Sequence, residues 1–134
     1  PELLKKVYFT NETKLEINSA NHTRTFCYID DAVNMIIKLI NNEGSINEVY
    51  NVGNSENEVS IMDVAIKIVN STDKKIKLIP MPDISHGPKR RCPCTKKLNT
   101  LIEYKHGVII DDGINRCYEW YLNNIFQNNN ASAI

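Results

Sequence analysis

Short strands alternating with amphipathic helices predict an α/β fold of α+β-like, small-domain character for this chain. Two helical stripes carry that expectation. Ala32, Val33, Ile36, Ile37 and Ile40 recur at helical spacing behind Asp30-Asp31, and Ile61, Val64, Ala65, Ile68 and Val69 do so behind Ser60. Around them lie β-rich runs at residues 14–17, 24–29, 48–54 and 75–79, bounded by Asn, Gly or Pro. A helical bundle would not interleave the two patterns in this way. The 134 residues suffice for one domain, expected over 1–126, with an Asn/Ser/Ala-rich tail over 127–134 that frays.

In chain order, residues 3–8 read as the end of a helix. Residues 14–17 read as a short strand before the loop Asn18-Ser19-Ala20-Asn21. The first strong helix is expected from Asp30 or Asp31 to about Asn41; Met35 and Leu39 widen its apolar stripe, so it should be buried on most of its surface. Residues 48–54 read as an interior strand closed by Gly53. Ser60 is an N-cap with Asp63 at the capping-box position, the shorter acid in a place where Glu is usual. The strand at 75–79 stops at Pro80 and Pro82, and 83–93 is loop-like. Thr95 is a candidate cap for a helix to about Tyr104. A last helix from Asp111 or Asp112 puts Ile114, Cys117, Tyr118, Tyr121, Leu122 and Ile125 on one face.

Charge and composition exclude some functions. Sixteen basic residues balance sixteen acidic ones, which argues against a nucleic-acid binder or a polybasic membrane anchor; the one basic cluster is Lys89-Arg90-Arg91. No apolar run reaches the roughly 18 residues of a membrane span, and no signal segment opens the chain, so a cytoplasmic location is expected. The start at Pro1 rather than Met is what a piece of a longer protein would show. Cys92-Pro93-Cys94 has a spacing unlike a zinc knuckle. Cys27, Cys92, Cys94 and Cys117 are therefore expected as buried free thiols, not disulfides or metal ligands. His22, His86 and His106 read as surface or loop histidines.

The stretch from Thr23 to Val33 holds the strongest functional signal. On a strand, Arg24, Phe26 and Tyr28 share one face while Thr25, Cys27 and Ile29 share the other. An arginine fork fits a phosphate, and neighbouring rings offer a flat wall to a sugar or base. The plain alternative is a half-exposed strand bearing a surface arginine.

These landmarks occur in a meaningful order. Arg24-Thr25-Phe26-Cys27-Tyr28-Ile29-Asp30-Asp31 precedes Tyr50-Asn51-Val52-Gly53-Asn54 and Val59-Ser60-Ile61, followed by Pro88-Lys89-Arg90-Arg91-Cys92-Pro93, Gly113 and Glu119-Trp120-Tyr121. The set resembles the C-terminal, substrate-binding part of the NAD-dependent sugar-nucleotide epimerase/dehydratase family, the extended short-chain dehydrogenases. Within it the likeness is greatest to the UDP-glucuronate decarboxylase (UDP-xylose synthase) group. The resemblance implies that Arg24 and Arg91, or Arg90, grip the diphosphate of a UDP- or dTDP-sugar, with Tyr28 beside them. It makes Asp31 an N-cap, Tyr50, Asn51 and Gly53 a core strand and turn, and Trp120 and Tyr121 packing residues.

Two departures stand beside that site. Asn18-Ser19-Ala20-Asn21 has no glycine where the family has Y-G-D-G, and Cys94 replaces an aspartate. No G-x-x-G-x-x-G occurs and no tyrosine is followed four residues later by lysine, so the family's NAD and its base belong to a Rossmann half outside these residues. The expectation is a substrate-binding region with no catalytic or cofactor-binding residue of its own and no metal. Its partners would be a UDP- or dTDP-sugar and the missing Rossmann domain, with a homodimer possible. The alternative is a stand-alone or fused nucleotide-sugar-binding module, or a degenerate scaffold, without catalysis.

Overall fold

Ser60 and Asp63 set one corner of the architecture by local chemistry alone. The Ser60 hydroxyl accepts from the Asp63 N–H at 3.0 Å, and the Asp63 carboxylate accepts from the Ser60 N–H at 3.3 Å and its hydroxyl at 2.7 Å. This closed box starts a helix one residue after a strand ends. The computed structural model describes residues 1–83, 87–105 and 107–126. In order these form α1 (Glu2–Phe9), β1 (Lys14–Ile17), β2 (Thr23–Thr25), α2 (Ile29–Ile40), β3 (Glu58–Ser60), α3 (Ile61–Asn70), β4 (Lys77–Pro80), β5 (Arg90–Arg91), α4 (Lys96–Leu101) and α5 (Ile110–Tyr121). A 3-10 turn at Glu43–Ser45 and a π-helical turn at Leu122–Phe126 complete them. Short strands and helices alternate as the sequence implies.

Two small sheets result. β1 and β4 run parallel, Lys14 opposite Lys77 through Ile17 opposite Pro80. β2 is the centre of the other sheet, antiparallel to β3 and parallel to β5. Helices α1, α3 and α5 share an apolar cluster of Leu4, Val7, Val64, Ile68 and Phe126, against which Ile114, Tyr118, Tyr121 and Ile125 also pack. Phe126 is wholly buried, stacked on Tyr8 with ring centroids 4.3 Å apart. Met35, Leu98 and Ile102 make a separate cluster between α2 and α4.

Several expectations fail. Helix α2 buries only Asp31 and Met35; Ile29, Val33, Ile36, Ile37 and Ile40 are 64, 42, 44, 50 and 76% exposed, because no described element packs on that face. Residues 48–54 are not a strand: Tyr50 and Val52 pack on the Met35 cluster, yet no described strand offers this backbone a ladder. The strand expected over 24–29 ends at Thr25, where β3 and β5 cease to pair with it. Helix α4 stops at Leu101, and Thr95 makes no cap bond, its hydroxyl being 2.8 Å from that of Ser55 instead. Asp31 is not an N-cap but a first-turn residue whose carboxylate turns inward. His22 is buried, its Nε2 2.7 Å from Asp83 Oδ2, so it is not a surface histidine. The cysteines are free, but Cys94 and Cys117 are exposed and Cys27 and Cys92 only half-buried. Trp120 is 55% exposed, since its side of α5 faces away from the Phe126 cluster. His86, His106 and the tail 127–134 lie outside the described residues.

Candidate functional site

The register of β2 assembles the basic residues. Parallel pairing sets Thr23 opposite Arg90 and Arg24 opposite Arg91, so two arginines far apart in sequence stand on adjacent strands about 4.8 Å apart. Arg24, Arg90 and Arg91 line one open cleft of about 690 Å³ with Thr25, Cys27, Cys92 and the Val52-Gly53-Asn54 turn. Its far wall is tight: a Cβ on Gly53 would stand 3.2 Å from Pro93 Cγ, so any larger residue there needs the Pro93 ring to give by a few tenths of an ångström. Asn54 is buried and its Oδ1 accepts from the Glu56 N–H at 2.8 Å, fixing the turn. Asn51 Nδ2 donates to the Cys94 carbonyl at 3.1 Å, tying that turn to the arginine segment.

The three guanidiniums are held differently. Arg24 is half-buried; its Nη1 donates to the Thr23 carbonyl at 2.6 Å and that of Lys89 at 3.2 Å, and its Nη2 to that of Pro88 at 3.1 Å. It braces the loop leading into β5 while keeping its charge at the cleft. Arg90 lies side-on against Glu58, Nε at 2.9 Å from both carboxylate oxygens and Nη2 at 2.8 Å from one. Glu58 also accepts the Thr23 hydroxyl. These bonds, from Arg90 foremost, hold the Glu58 carboxyl below the usual carboxylate range, and Glu58 raises Arg90 in turn. Arg91 is exposed, and its guanidinium makes no hydrogen bond or ion pair to another described residue. The cleft thus presents one braced, one paired and one available guanidinium, groups whose forked donors suit an oxyanion.

Tyr28 stands elsewhere. Because β2 ends at Thr25, the alternation that would carry Tyr28 to the side of Arg24 is broken. Tyr28 and Phe26 instead line a neighbouring apolar cavity of about 200 Å³ with Val64, Ile68, Gly113 and Ile114. The Tyr28 ring lies under the Arg116 guanidinium at 5.4 Å, and a Cβ on Gly113 would come within 3.3 Å of it. Sequence reasoning missed Glu58, Thr23 and Asn54, whose roles follow from the pairing of β2 with β3 and from the turn beside the cleft.

The described residues lack the glycine-rich strand-to-helix turn that cradles a dinucleotide. Helices α2, α3 and α4, which follow strands, are entered through Tyr28, Ser60 and Thr95, with no glycine between strand and helix to admit a pyrophosphate. The described residues likewise hold no group of three or more His, Cys, Asp or Glu placed to bind a metal ion, and no described helix is long and apolar enough to cross a membrane.

No family model matches the chain. UDP-glucuronic acid decarboxylase 1 of Danio rerio is 28% identical over 103 residues, 77% of this chain and 24% of that protein. An uncharacterized protein of Methanocaldococcus jannaschii is 34% identical over 110 residues, 80% of this chain and 32% of that protein. The crystal structure of UDP-glucuronic acid 4-epimerase from Bacillus cereus, in complex with UDP-glucuronic acid and NAD, shares the fold with a TM-score of 0.74. It is 23% identical and is matched over 90% of this chain and 38% of that one. The chain thus spans about a quarter to a third of the curated relatives' length. In sequence the chain is thus similar to part of a UDP-glucuronic acid decarboxylase, and in fold to part of a UDP-glucuronic acid 4-epimerase.

Proposed function

We propose that the chain is the substrate-binding region of an NAD-dependent nucleotide-sugar-modifying enzyme of decarboxylase, epimerase or 4,6-dehydratase type, and that its arginine cleft takes the diphosphate of a UDP- or dTDP-sugar. The observation that carries this is the convergence of Arg24, Arg90 and Arg91 on one open cleft. Arg91 is the principal ligand, since its fork has no competing partner among the described residues, and Arg24 contributes charge while bracing the 88–89 backbone. Tyr28 takes part at most through the adjoining apolar cavity. The nicotinamide chemistry belongs to a part of the enzyme outside these residues. That the matched segment is only 24 and 32% of the relatives' length supports this, as does the bare apolar face of α2, which a stand-alone module would be expected to cover.

Calorimetry of the chain with UDP, dTDP, GDP and NAD at moderate salt tests the reading. UDP or dTDP should bind and NAD should not. Arg91→Ala should weaken that binding about tenfold, a loss of roughly 1.4 kcal/mol for one exposed charge-assisted contact. Binding of NAD in preference to UDP and dTDP, or wild-type affinity in Arg91→Ala, overturns it.

A further inference from the structure

Glu58 is the acidic residue that the cleft's arginines meet. It opens β3, opposite Thr25 in the antiparallel register, and reaches over β2 to grip Arg90 side-on while accepting the Thr23 hydroxyl. Through these bonds one carboxylate joins three strands, since Thr23 is on β2 and Arg90 on β5. It occupies the Nε edge of the guanidinium, the edge best shaped for a bidentate oxyanion. A phosphate in the cleft meets Arg90 with that edge already engaged and its charge largely offset.

The charges at the cleft can be counted. Arg24, Arg90 and Arg91 line it and Glu58 cancels one of them, leaving an excess of two positive charges. A diphosphate esterified at both ends carries about two negative charges, whereas one esterified at a single end carries nearly three, because its terminal phosphate loses a further proton with a pKa of about 6. The carboxyl of Glu58 lies below the usual carboxylate range, so it is ionised across the neutral region where the difference between the two ligands is expressed.

Resting on the reading of this cleft as a diphosphate site, we propose that Glu58 is its selectivity residue, acting through Arg90: by sequestering that guanidinium it matches the cleft to a diphosphate diester and disfavours the more highly charged free nucleoside diphosphate. Glu58 touches no ligand in this scheme and is a positioning residue. Removing its charge releases the Nε edge of Arg90 and adds one positive charge to the cleft. A free terminal phosphate exploits both more fully than a diester does.

Calorimetric titration of the full chain with UDP and with UDP-glucose, in wild type, Glu58→Gln, Arg90→Ala and the double variant, tests this. In Glu58→Gln the ratio of UDP to UDP-glucose affinity should rise about three- to fivefold, the worth of one exposed ion pair. In the Arg90→Ala background the same substitution should raise that ratio less, since only the charge of Glu58 and no longer the Nε edge of Arg90 is then at stake. Arg90→Ala alone should lower UDP affinity more than UDP-glucose affinity, which keeps the test open if Glu58→Gln folds poorly. A merely structural Glu58 would weaken both ligands together, and that result, or an unmoved ratio in Glu58→Gln, overturns the proposal while leaving the cleft's assignment intact. Wild-type chain that binds neither ligand overturns the assignment and the proposal together.

Discussion

Replacing Asp31 should be the most damaging single change to this fold. The residue sits one turn into α2 at 5% exposure, and its carboxylate accepts from the Tyr104 hydroxyl at 2.7 Å, the Gly107 N–H at 3.1 Å and the Val108 N–H at 3.2 Å. It is the peg on which the segment between α4 and α5 hangs, and so it sets how α5 approaches Tyr28. Asp31→Ala leaves three donors without their acceptor. A hydrogen bond to a charged group contributes about 1.5–3 kcal/mol, and part of the loss is recovered where water reaches the loop, so a net destabilisation of about 3 kcal/mol is expected. Against a total of about 5–15 kcal/mol for a domain of this size, that is a large fraction. Urea unfolding followed by circular dichroism measures it. The variant also has a spectroscopic signature. Burial first, and the bond to Asp31 second, push the Tyr104 phenol above its ordinary value of 10.0. A raised folded-state value means that this contribution to stability is whole below pH 10.0 and is lost as the pH climbs from there toward the folded-state value. In Asp31→Ala the phenol should titrate at lower pH, visible as tyrosinate absorbance. A destabilisation below about 1 kcal/mol, with the phenol unmoved, would refute the argument that these three bonds hold the segment.

Two further outcomes follow from backbone and thiol environments. Ser19 has φ of 52°, in the loop where the resembling family carries glycine; relief of the left-handed penalty, less the entropy glycine adds to the unfolded chain, predicts that Ser19→Gly gains roughly 0.5–1 kcal/mol in urea unfolding, and a loss of stability would contradict it. Among the thiols, Cys94 and Cys117 are exposed, whereas burial and then the nearby Asp31 carboxylate raise Cys27. A chromogenic disulfide reagent at pH 8 should therefore label Cys94 and Cys117 in a fast phase and Cys27 slowly; mass mapping that finds Cys27 in the fast phase would show that its surroundings are wrongly described.

What the sequence makes legible here is what short-range physics decides. The capping box of Ser60 and Asp63 lies within four residues and forms as read, and the stripe Val64, Ala65 and Ile68 meets Leu4 and Ile17 as a helix face should. The meeting of Arg24 with Arg91 came from the resemblance and not from spacing, because the 66 residues between them carry no trace of their parallel register. Glu58 was invisible for the same reason. Its value lies in a cross-strand pairing with Thr25, and its own neighbours, Asn57 and Val59, mark only a strand edge. His22 shows the converse failure: a polar residue in a turn looks exposed until Asp83, 61 residues on, is found beside it. Asp31 looked like a cap because aspartate is common there, and only its three tertiary donors reveal that it faces inward.

The two largest misreadings have one explanation. The helix expected from Asp30 or Asp31 to about Asn41 should be buried on most of its surface, and residues 48–54 should be an interior strand. Yet Ile29 and Ile40 stand well out in solvent, Val49 is 85% exposed, and the 48–54 backbone has no ladder among the described residues. Composition selected for burial has been left without a cover in both. A second copy of the chain pairing through α2 would not supply one. A twelve-residue helix is about 18 Å long, and its single face offers far less than the roughly 800 Å² per partner that a stable association needs. The 48–54 run moreover calls for a strand rather than a helix as neighbour. A sheet flanked by helices answers both demands at once, giving a ladder to one segment and a packing surface to the other, and such a layer is what the proposed NAD-carrying part would bring. On the proposed reading, the bare apolar face of α2 and the unladdered 48–54 segment are both left for that layer to cover.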